Sequence, residues 1–270
     1  MFSSAGVAGF RLGLGILVCI SRCTIQAGES LPPQGVRPEA AYQAPDALTA
    51  VIFGSDTSTN QPLFRFKRSA THEPAALTVV GEYFYPDGKP AVRERAFYHD
   101  DLLTRYEVED YQTGASGSAT LEHDPHNPAK GTIVFRYSKD ASSRANVSTR
   151  TEQLQPDTLI NDMVGPFLAS HWDRLDRGEK VSCRCVVVSR RETIAFTFSK
   201  ESDQQRGGRK VAIVKMEPSN LLFSLFVEPL RFVIEKDSPH RVLQYAGRTA
   251  PKKMQHGQWK DLDAVTVFNW

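Results

Sequence analysis

The stretch that decides the fold is residues 77–98, LTVVGEYFYPDGKPAVRERAFY. Leu77, Val79 and Tyr83 alternate with smaller or more polar residues, which is the pattern of a half-buried β-strand. Pro86–Lys89 then predicts a turn, because its glycine adopts a positive φ without steric cost. A second strand-like run follows from residue 92 to 98. The stretch therefore predicts an antiparallel hairpin.

Similar strand signals recur on both sides of this hairpin, from Ala47 to about Tyr137 and again after residue 178. We count about ten strands, and we place loops at Gly114–Gly117 and His123–Asn127 because of their composition. The other predicted strands are Leu103–Tyr111, Thr132–Tyr137, Val181–Val187, Ile194–Phe198, Val211–Met216, Leu230–Ile234, Val242–Tyr245 and Val265–Phe268.

One segment, residues 157–177, has its apolar residues at helical spacing. Asp157 is a candidate N-cap, and Gly178 a candidate C-terminal residue. Pro166 lies inside the pattern and removes a backbone donor, so we expect either a kink or two short helices, the second beginning at Pro166.

These elements predict a mainly β (α+β) fold. A long antiparallel sheet must cover its apolar face, either by curling or by packing on a helix. We therefore expect a curved antiparallel sheet or open half-barrel, with the Pro-kinked amphipathic helix against its concave face.

The first 27 residues have the layout of a secretory signal peptide. Arg11 precedes the apolar run Leu12–Ile20, and small or aliphatic residues lead to a plausible cleavage site after Ala27. A retained N-terminal anchor is the alternative, because Arg22 follows the run. Residues 28–46 are rich in Pro, Gln, Gly and Ala and predict a flexible linker. Residues 47–270 then form a single β-rich domain, in a periplasmic or secreted protein with no later transmembrane segment.

Charge and motifs argue against several classes of function. The chain has 33 basic and 31 acidic residues, and the part after Ala27 is neutral, so no broad positive field attracts nucleic acid. No nucleophile elbow, phosphate loop, zinc motif or dinucleotide fingerprint is present, and we predict no catalytic residue, metal site or cofactor. Cys183 and Cys185 share one strand face and are interpreted as buried thiols, with a redox or metal role as the alternative.

Three C-terminal segments resemble a known group of proteins: Met216–Ser219, Val227–Phe232 and Arg241–Arg248. The pattern resembles uncharacterised exported bacterial proteins of DUF3108-like type, which are similar in turn to the half-barrel lipoprotein carriers LolA and LolB. The resemblance covers about residues 155–268 and implies a half-open barrel with an apolar interior. It implies no functional residue.

The leading hypothesis is a non-enzymatic binding protein that shelters an apolar ligand, such as a lipid or a lipid-modified partner, in the half-barrel. One alternative is a structural or interaction protein of the cell envelope with a filled barrel, and another is a hydrolase with a site assembled across strands. The apolar segment 221–227 is interpreted either as core or as lining of the cavity. The predicted lining residues are Met163, Phe167, Trp172, Phe196, Phe198, Leu222, Phe223 and Phe226. The oligomeric state is left open.

Overall fold

The structure, a computed structural model, describes residues 45–55, 61–140, 142, 147–220 and 229–270. Strands make up most of this part of the chain and confirm the prediction of a mainly β fold. In chain order they are β1 Ala47–Gly54, β2 Pro62–Glu73, β3 Ala76–Phe84, β4 Pro90–His99, β5 Leu102–Asp110, β6 Ala115–Asp124, β7 Asn127–Ser138, β8 Ser148–Leu154, β9 Thr158–Leu159, β10 Val181–Val187, β11 Glu192–Arg206, β12 Arg209–Pro218, β13 Leu230–Glu235, β14 Val242–Gln255 and β15 Gln258–Asn269.

All fifteen strands form one sheet, in the order β8 to β1 followed by β15 to β9. Neighbours are antiparallel, apart from a short parallel pairing of β9 with β10. The predicted hairpin is β3 and β4, in register from Ala76 opposite His99 onward. The pairing of β1 with β15 joins the two halves of the meander. The sheet curls into a nearly closed barrel, further than the open half-barrel that the sequence predicts.

Side chains cross the gap in this barrel from the edge strand β8 to the start of β11, which lies two strands in from the other edge strand, β9. A Glu152 carboxylate oxygen on β8 accepts hydrogen bonds from the Thr193 backbone N–H at 2.9 Å and from its hydroxyl at 3.1 Å. Arg150 lies 3.6 Å from Glu192 across the same gap. Contacts between charged and polar side chains therefore connect the two ends of the sheet, where no backbone ladder joins them.

The helical segment between β9 and β10 packs inside the curled sheet. It consists of a 3-10 turn, Asn161–Met163, and two short helices, α1 Val164–Ser170 and α2 Trp172–Asp176. Phe167 of α1 packs on Phe198 of β11, with ring centroids 5.7 Å apart. The helix thus covers part of the apolar inner face, as the amphipathic pattern predicts.

The break between the helices lies at His171, whereas the sequence placed it at Pro166. Pro166 falls in the first turn of α1, where its missing N–H costs no helical hydrogen bond. His171 leaves the helical conformation, with φ −105° and ψ 13°. The N-cap prediction was also wrong, because Asp157 precedes β9 and the helical segment begins later. Gly178 ends α2 at φ 82°, as expected.

Sequence reasoning missed several strands, and β6 shows why. Gly114–Gly117 was predicted to be a loop, but residues 115–117 begin β6. A Cβ atom built on Gly117 would lie 2.6 Å from the Val188 side chain and from the Arg136 carbonyl oxygen. Glycine is required there by close packing across the sheet, so its presence does not mark a loop.

A second contact crosses the barrel between the β5–β6 turn and β14. The Gln112 side chain donates to the Lys252 carbonyl at 2.9 Å and accepts from the Lys252 N–H at 2.7 Å. The Lys252 ammonium lies 2.8 Å from Asp110. These bonds tie strands that are far apart in the sheet order and fix the shape of the interior. None of the helices in the described part of the chain is long and apolar enough to cross a membrane.

We predict that Leu168→Ala lowers the free energy of unfolding by about 2–5 kcal/mol, because Leu168 is 0% exposed at the centre of the barrel and its loss leaves a cavity. The matched control is Met254→Ala on β14, where the side chain is 52% exposed and a change within about 0.5 kcal/mol is expected. Urea unfolding followed by circular dichroism measures both. Equal losses would contradict the placement of the helix inside the sheet.

Candidate ligand cavity

The barrel encloses a cavity of about 1010 Å³ between the helical segment and the inner face of the sheet. Its walls come from both halves of the meander and from α1. Most of the lining side chains on the sheet are aliphatic or aromatic, among them Leu48, Val79, Phe196, Met216, Phe232 and Phe268. The arrangement can hold an apolar molecule away from water.

Two glycines line this space, one closely packed and one open. Gly81 of β3 lies between Arg68 of β2 and Glu94 of β4 in one cross-strand row that faces the cavity. A Cβ atom on Gly81 would meet the Phe66 ring at 3.2 Å, so the position is tightly bounded on one side. Gly165 of α1 faces the same space, and a Cβ atom there would meet only Val242 within 4 Å, at 3.7 Å.

A buried ion pair lies at one end of the cavity. The Arg68 guanidinium donates from Nε and Nη2 to the two carboxylate oxygens of Asp162, at 2.5 Å and 3.0 Å. It also donates to the Pro45 carbonyl. The Arg68 side chain is 3% exposed and that of Asp162 is 19% exposed. Bidentate geometry of this kind is the strong form of the arginine–carboxylate pair, and it attaches the start of the helical segment to β2.

Glu94 lies beside this pair and faces the cavity. It accepts a hydrogen bond from the Asn161 side-chain amide at 2.9 Å and another from the Tyr106 hydroxyl. Burial raises the pKa of Glu94 above its ordinary value of 4.5, and the charge of Asp162 adds to the rise. Among the described residues, no Lys, Arg or His forms an ion pair with Glu94. Its charged form is therefore stabilised by two neutral donors alone.

Two tyrosines complete this polar end of the cavity. Burial raises the pKa of Tyr83 and of Tyr106 well above the usual value, and the neighbouring Glu94 raises both further. Both phenols therefore stay neutral at ordinary pH. The polar end of the cavity, defined as Arg68, Tyr83, Glu94, Tyr106, Asn161 and Asp162, lies beside a mostly apolar lining, and its Asn161 is exposed.

Exposed residues among those that line the cavity mark its mouth. Ser170, Pro239 and Trp270 line the cavity and are exposed. The Trp270 indole N–H donates to the Val242 carbonyl at 2.8 Å, and the Arg241 guanidinium lies 5.5 Å from its ring centroid. This cation–π contact holds a positive charge at the mouth.

The predicted lining residues fall into three groups. Phe196 lines the cavity. Met163, Phe167, Trp172 and Phe198 are buried in the core that surrounds it, and are not among the residues that line it. Leu222, Phe223 and Phe226 lie outside the described residues. A role in ligand binding for these eight residues stays a prediction.

The sequence analysis missed the polar end of the cavity. A signal was present, because Arg68 lies two residues from Phe66, and Glu94 lies two residues from both Val92 and Ala96. In a strand, this spacing puts a charged side chain on the same face as apolar ones. A charge on the apolar face of a strand indicates a buried polar partner, here the side chains contributed by the 3-10 turn.

The two cysteines of β10 are free thiols, with their sulfur atoms 3.8 Å apart. The hydrogen bond between the two thiols and then burial raise the pKa of Cys183. Cys183 is buried, and Cys185 faces the cavity. Within the described ranges, no group of three or more His, Cys, Asp and Glu side chains is placed to hold a metal ion.

Comparisons with known proteins return similar solved structures and no family. No family model matches the sequence, and no curated protein matches it. One similar solved structure is a β-barrel-like protein of the domain of unknown function DUF1849 from Brucella abortus. It is 11% identical, with a TM-score of 0.42 over 82% of this chain and 96% of that one.

A second similar structure is a putative outer membrane lipoprotein-sorting protein domain from Vibrio parahaemolyticus. It is 10% identical, with a TM-score of 0.22 over 86% of this chain and 89% of that one. The second structure is described as a lipoprotein-sorting domain, whereas the DUF3108 resemblance stays a prediction. At these identities and scores, neither structure bears on function.

The first prediction for the cavity concerns its ion pair. Asp162→Asn removes the charge that compensates the buried Arg68 cation and should destabilise the protein by about 3–5 kcal/mol. Glu82→Gln is the matched control, because the Arg93–Glu82 pair is half-exposed and contributes about 1 kcal/mol or less. Chemical denaturation of the two variants checks this, and similar losses in both would show that the Arg68–Asp162 pair is not buried.

The second prediction concerns the pH dependence of stability. The raised pKa of Glu94 means that the folded state favours the protonated carboxyl. Its contribution to stability is present below the ordinary value of 4.5 and is lost as pH rises through the folded-state pKa. Glu94→Gln should therefore gain stability relative to the parent protein as pH rises from about 4.5 upward. Unfolding curves at several pH values measure this difference, and a difference independent of pH would contradict it.

Proposed function

We propose that this protein is a non-enzymatic binding protein that holds an apolar or amphipathic ligand, such as a lipid or a lipid-modified partner, inside its barrel. The observation that supports the proposal is the cavity of about 1010 Å³, bounded by apolar side chains of the sheet and of α1. Its volume lies at the upper end of the range that small-molecule sites occupy.

Such a cavity suffices for tight binding of a chain molecule. Each methylene group that leaves water for an apolar site gains about 0.8 kcal/mol. The cavity runs beside β14 from Val242 to Ala250, which is about 26 Å at the usual rise per strand residue. An extended acyl chain fits along this direction, with its tail against Phe232, Met216 and Leu230.

The main alternative is a filled barrel that serves as a structural or interaction protein of the cell envelope. That function requires no internal space, whereas the described residues leave a large one beside Phe196 and Phe268. The cavity therefore favours ligand binding over this alternative. The compartment that we propose, outside the cytoplasm, is supported by the N-terminal pattern of residues 1–27.

The direct test is native mass spectrometry of the full chain purified from its host, followed by thermal unfolding with added fatty acids or lipopeptides. We expect copurified lipid, or a rise in the melting temperature that increases with acyl-chain length. A protein free of lipid whose melting temperature no acyl compound changes would refute ligand binding.

A graded substitution at Gly165 tests whether the cavity is the binding site. Gly165 has helical geometry and open space before it, so Gly165→Ala is tolerated and Gly165→Leu places a larger side chain in the cavity. Affinity for a fluorescent fatty acid should fall in the order Gly, Ala, Leu, with the leucine variant weakened about tenfold or more.

Ser202→Leu on the outer, exposed part of β11 is the control, and it should bind as the parent protein does. Stability should not decrease in the Gly165 variants, because replacing a helical glycine removes an entropic cost of about 0.5–1 kcal/mol. Unchanged affinity in Gly165→Leu would place the ligand elsewhere.

A further inference from the structure

The geometry at Glu94 points to the chemistry of the ligand's polar group. We infer that the ligand is an amphiphile with a protonated amine, and that this ammonium group lies against the Glu94 carboxylate at the polar end of the cavity. The inference rests on the proposed function and specifies the class of ligand that the cavity selects.

The first step is the charge balance of the polar end. Arg68 and Asp162 neutralise each other through two hydrogen bonds. Glu94 is then the remaining ionisable carboxyl, and no cation of the described chain pairs with it. A carboxylate in such a site needs a positive partner, because burial without one is costly. A ligand ammonium would supply that partner.

The second step is the access that the fold leaves around Glu94. Glu94 itself lines the cavity, as does Gly81, its neighbour in the row, on which the Phe66 ring packs. A Cβ atom on Gly81 would lie 3.9 Å from the Glu94 Cβ atom. A small head group inside the cavity can therefore reach Glu94.

The third step is the set of groups that face Glu94. Tyr83 comes from β3, Tyr106 from β5, and Asn161 and Asp162 from the 3-10 turn, while Arg68 lies behind Asp162. The phenols and the amide remain neutral, and Asp162 is negative. This environment attracts a cation and disfavours an anionic head group.

The charge at the mouth of the cavity favours an anionic head group, whereas Glu94 favours a cationic one. An experiment can therefore separate these two positions for the head group. Arg241 holds a positive charge at the mouth, and Arg248, which also lines the cavity, pairs with Asp261 and Asp263. A ligand that keeps its head group at the mouth and only its tail in the barrel would carry a carboxylate. Head-group preference therefore reports which end of the cavity holds the polar group.

The test uses three probes with the same dodecyl chain: dodecylamine, dodecanoic acid and dodecanol, each kept monomeric. Calorimetry with the full chain should show that dodecylamine binds with an affinity at least about tenfold higher than that of dodecanoic acid. This preference should increase as pH rises above the ordinary carboxyl value of 4.5, because Glu94 ionises while the amine stays charged. Glu94→Gln should abolish both the preference and its pH dependence, and Glu94→Asp should retain part of the preference.

Glu109→Gln on β5 is the matched control, because Glu109 pairs with Arg95 and does not line the cavity. This variant should behave as the parent protein does. Equal binding of the three probes, tighter binding of the acid, or a preference that survives Glu94→Gln would overturn the inference while leaving ligand binding intact. Failure of all three probes to bind would refute the proposed function itself.

Discussion

The constraint on which the structure depends is the need to cover the apolar inner face of a single, very long antiparallel sheet. Fifteen strands in one sheet cannot lie flat, because strand twist accumulates from each pair to the next. Curling brings the apolar faces of the two halves toward each other, and the pairing of β1 with β15 makes the curl continuous. The helical segment then occupies part of the enclosed volume. Because it is short, it leaves the remainder as a cavity.

The interior polar groups follow from the same arrangement. The helical segment enters the barrel through a 3-10 turn whose first residues are polar, Asn161 and Asp162. The sheet provides a partner for each, Arg68 for the partly buried Asp162 carboxylate and Glu94 for the exposed Asn161 amide. These bonds hold the turn at a fixed height in the barrel. The position of α1, and with it the shape of the cavity, therefore depends on two hydrogen-bonded contacts with the sheet.

Strand alternation in residues 77–98 and the apolar helical pattern in 157–177 made the fold class predictable, because both patterns report burial on one face. The cavity and its lining were harder to predict from the sequence. Large aromatic residues were taken as its lining, yet Phe198 and Trp172 pack against other core residues and reach no free volume. Their size suits them to fill space, whereas a cavity exists where side chains are small or absent, as at Gly165. Sequence patterns report which side chains are buried, but the volume left between them depends on the curvature of the sheet.

The polar end of the cavity bears on stability as well as on binding. A filled barrel would gain apolar burial at every position, and replacing a buried ion pair with well-packed apolar residues is often neutral or stabilising. The chain instead keeps Glu94 without a positive partner among the described residues, in a position where burial disfavours its charge. A bound cation would remove that cost, so the stability of the protein and its affinity for such a ligand are linked through one carboxyl. Such a group destabilises the ligand-free barrel and favours the ligand-bound one. It therefore suits the proposed binding function, whereas a purely structural barrel would gain no stability from it.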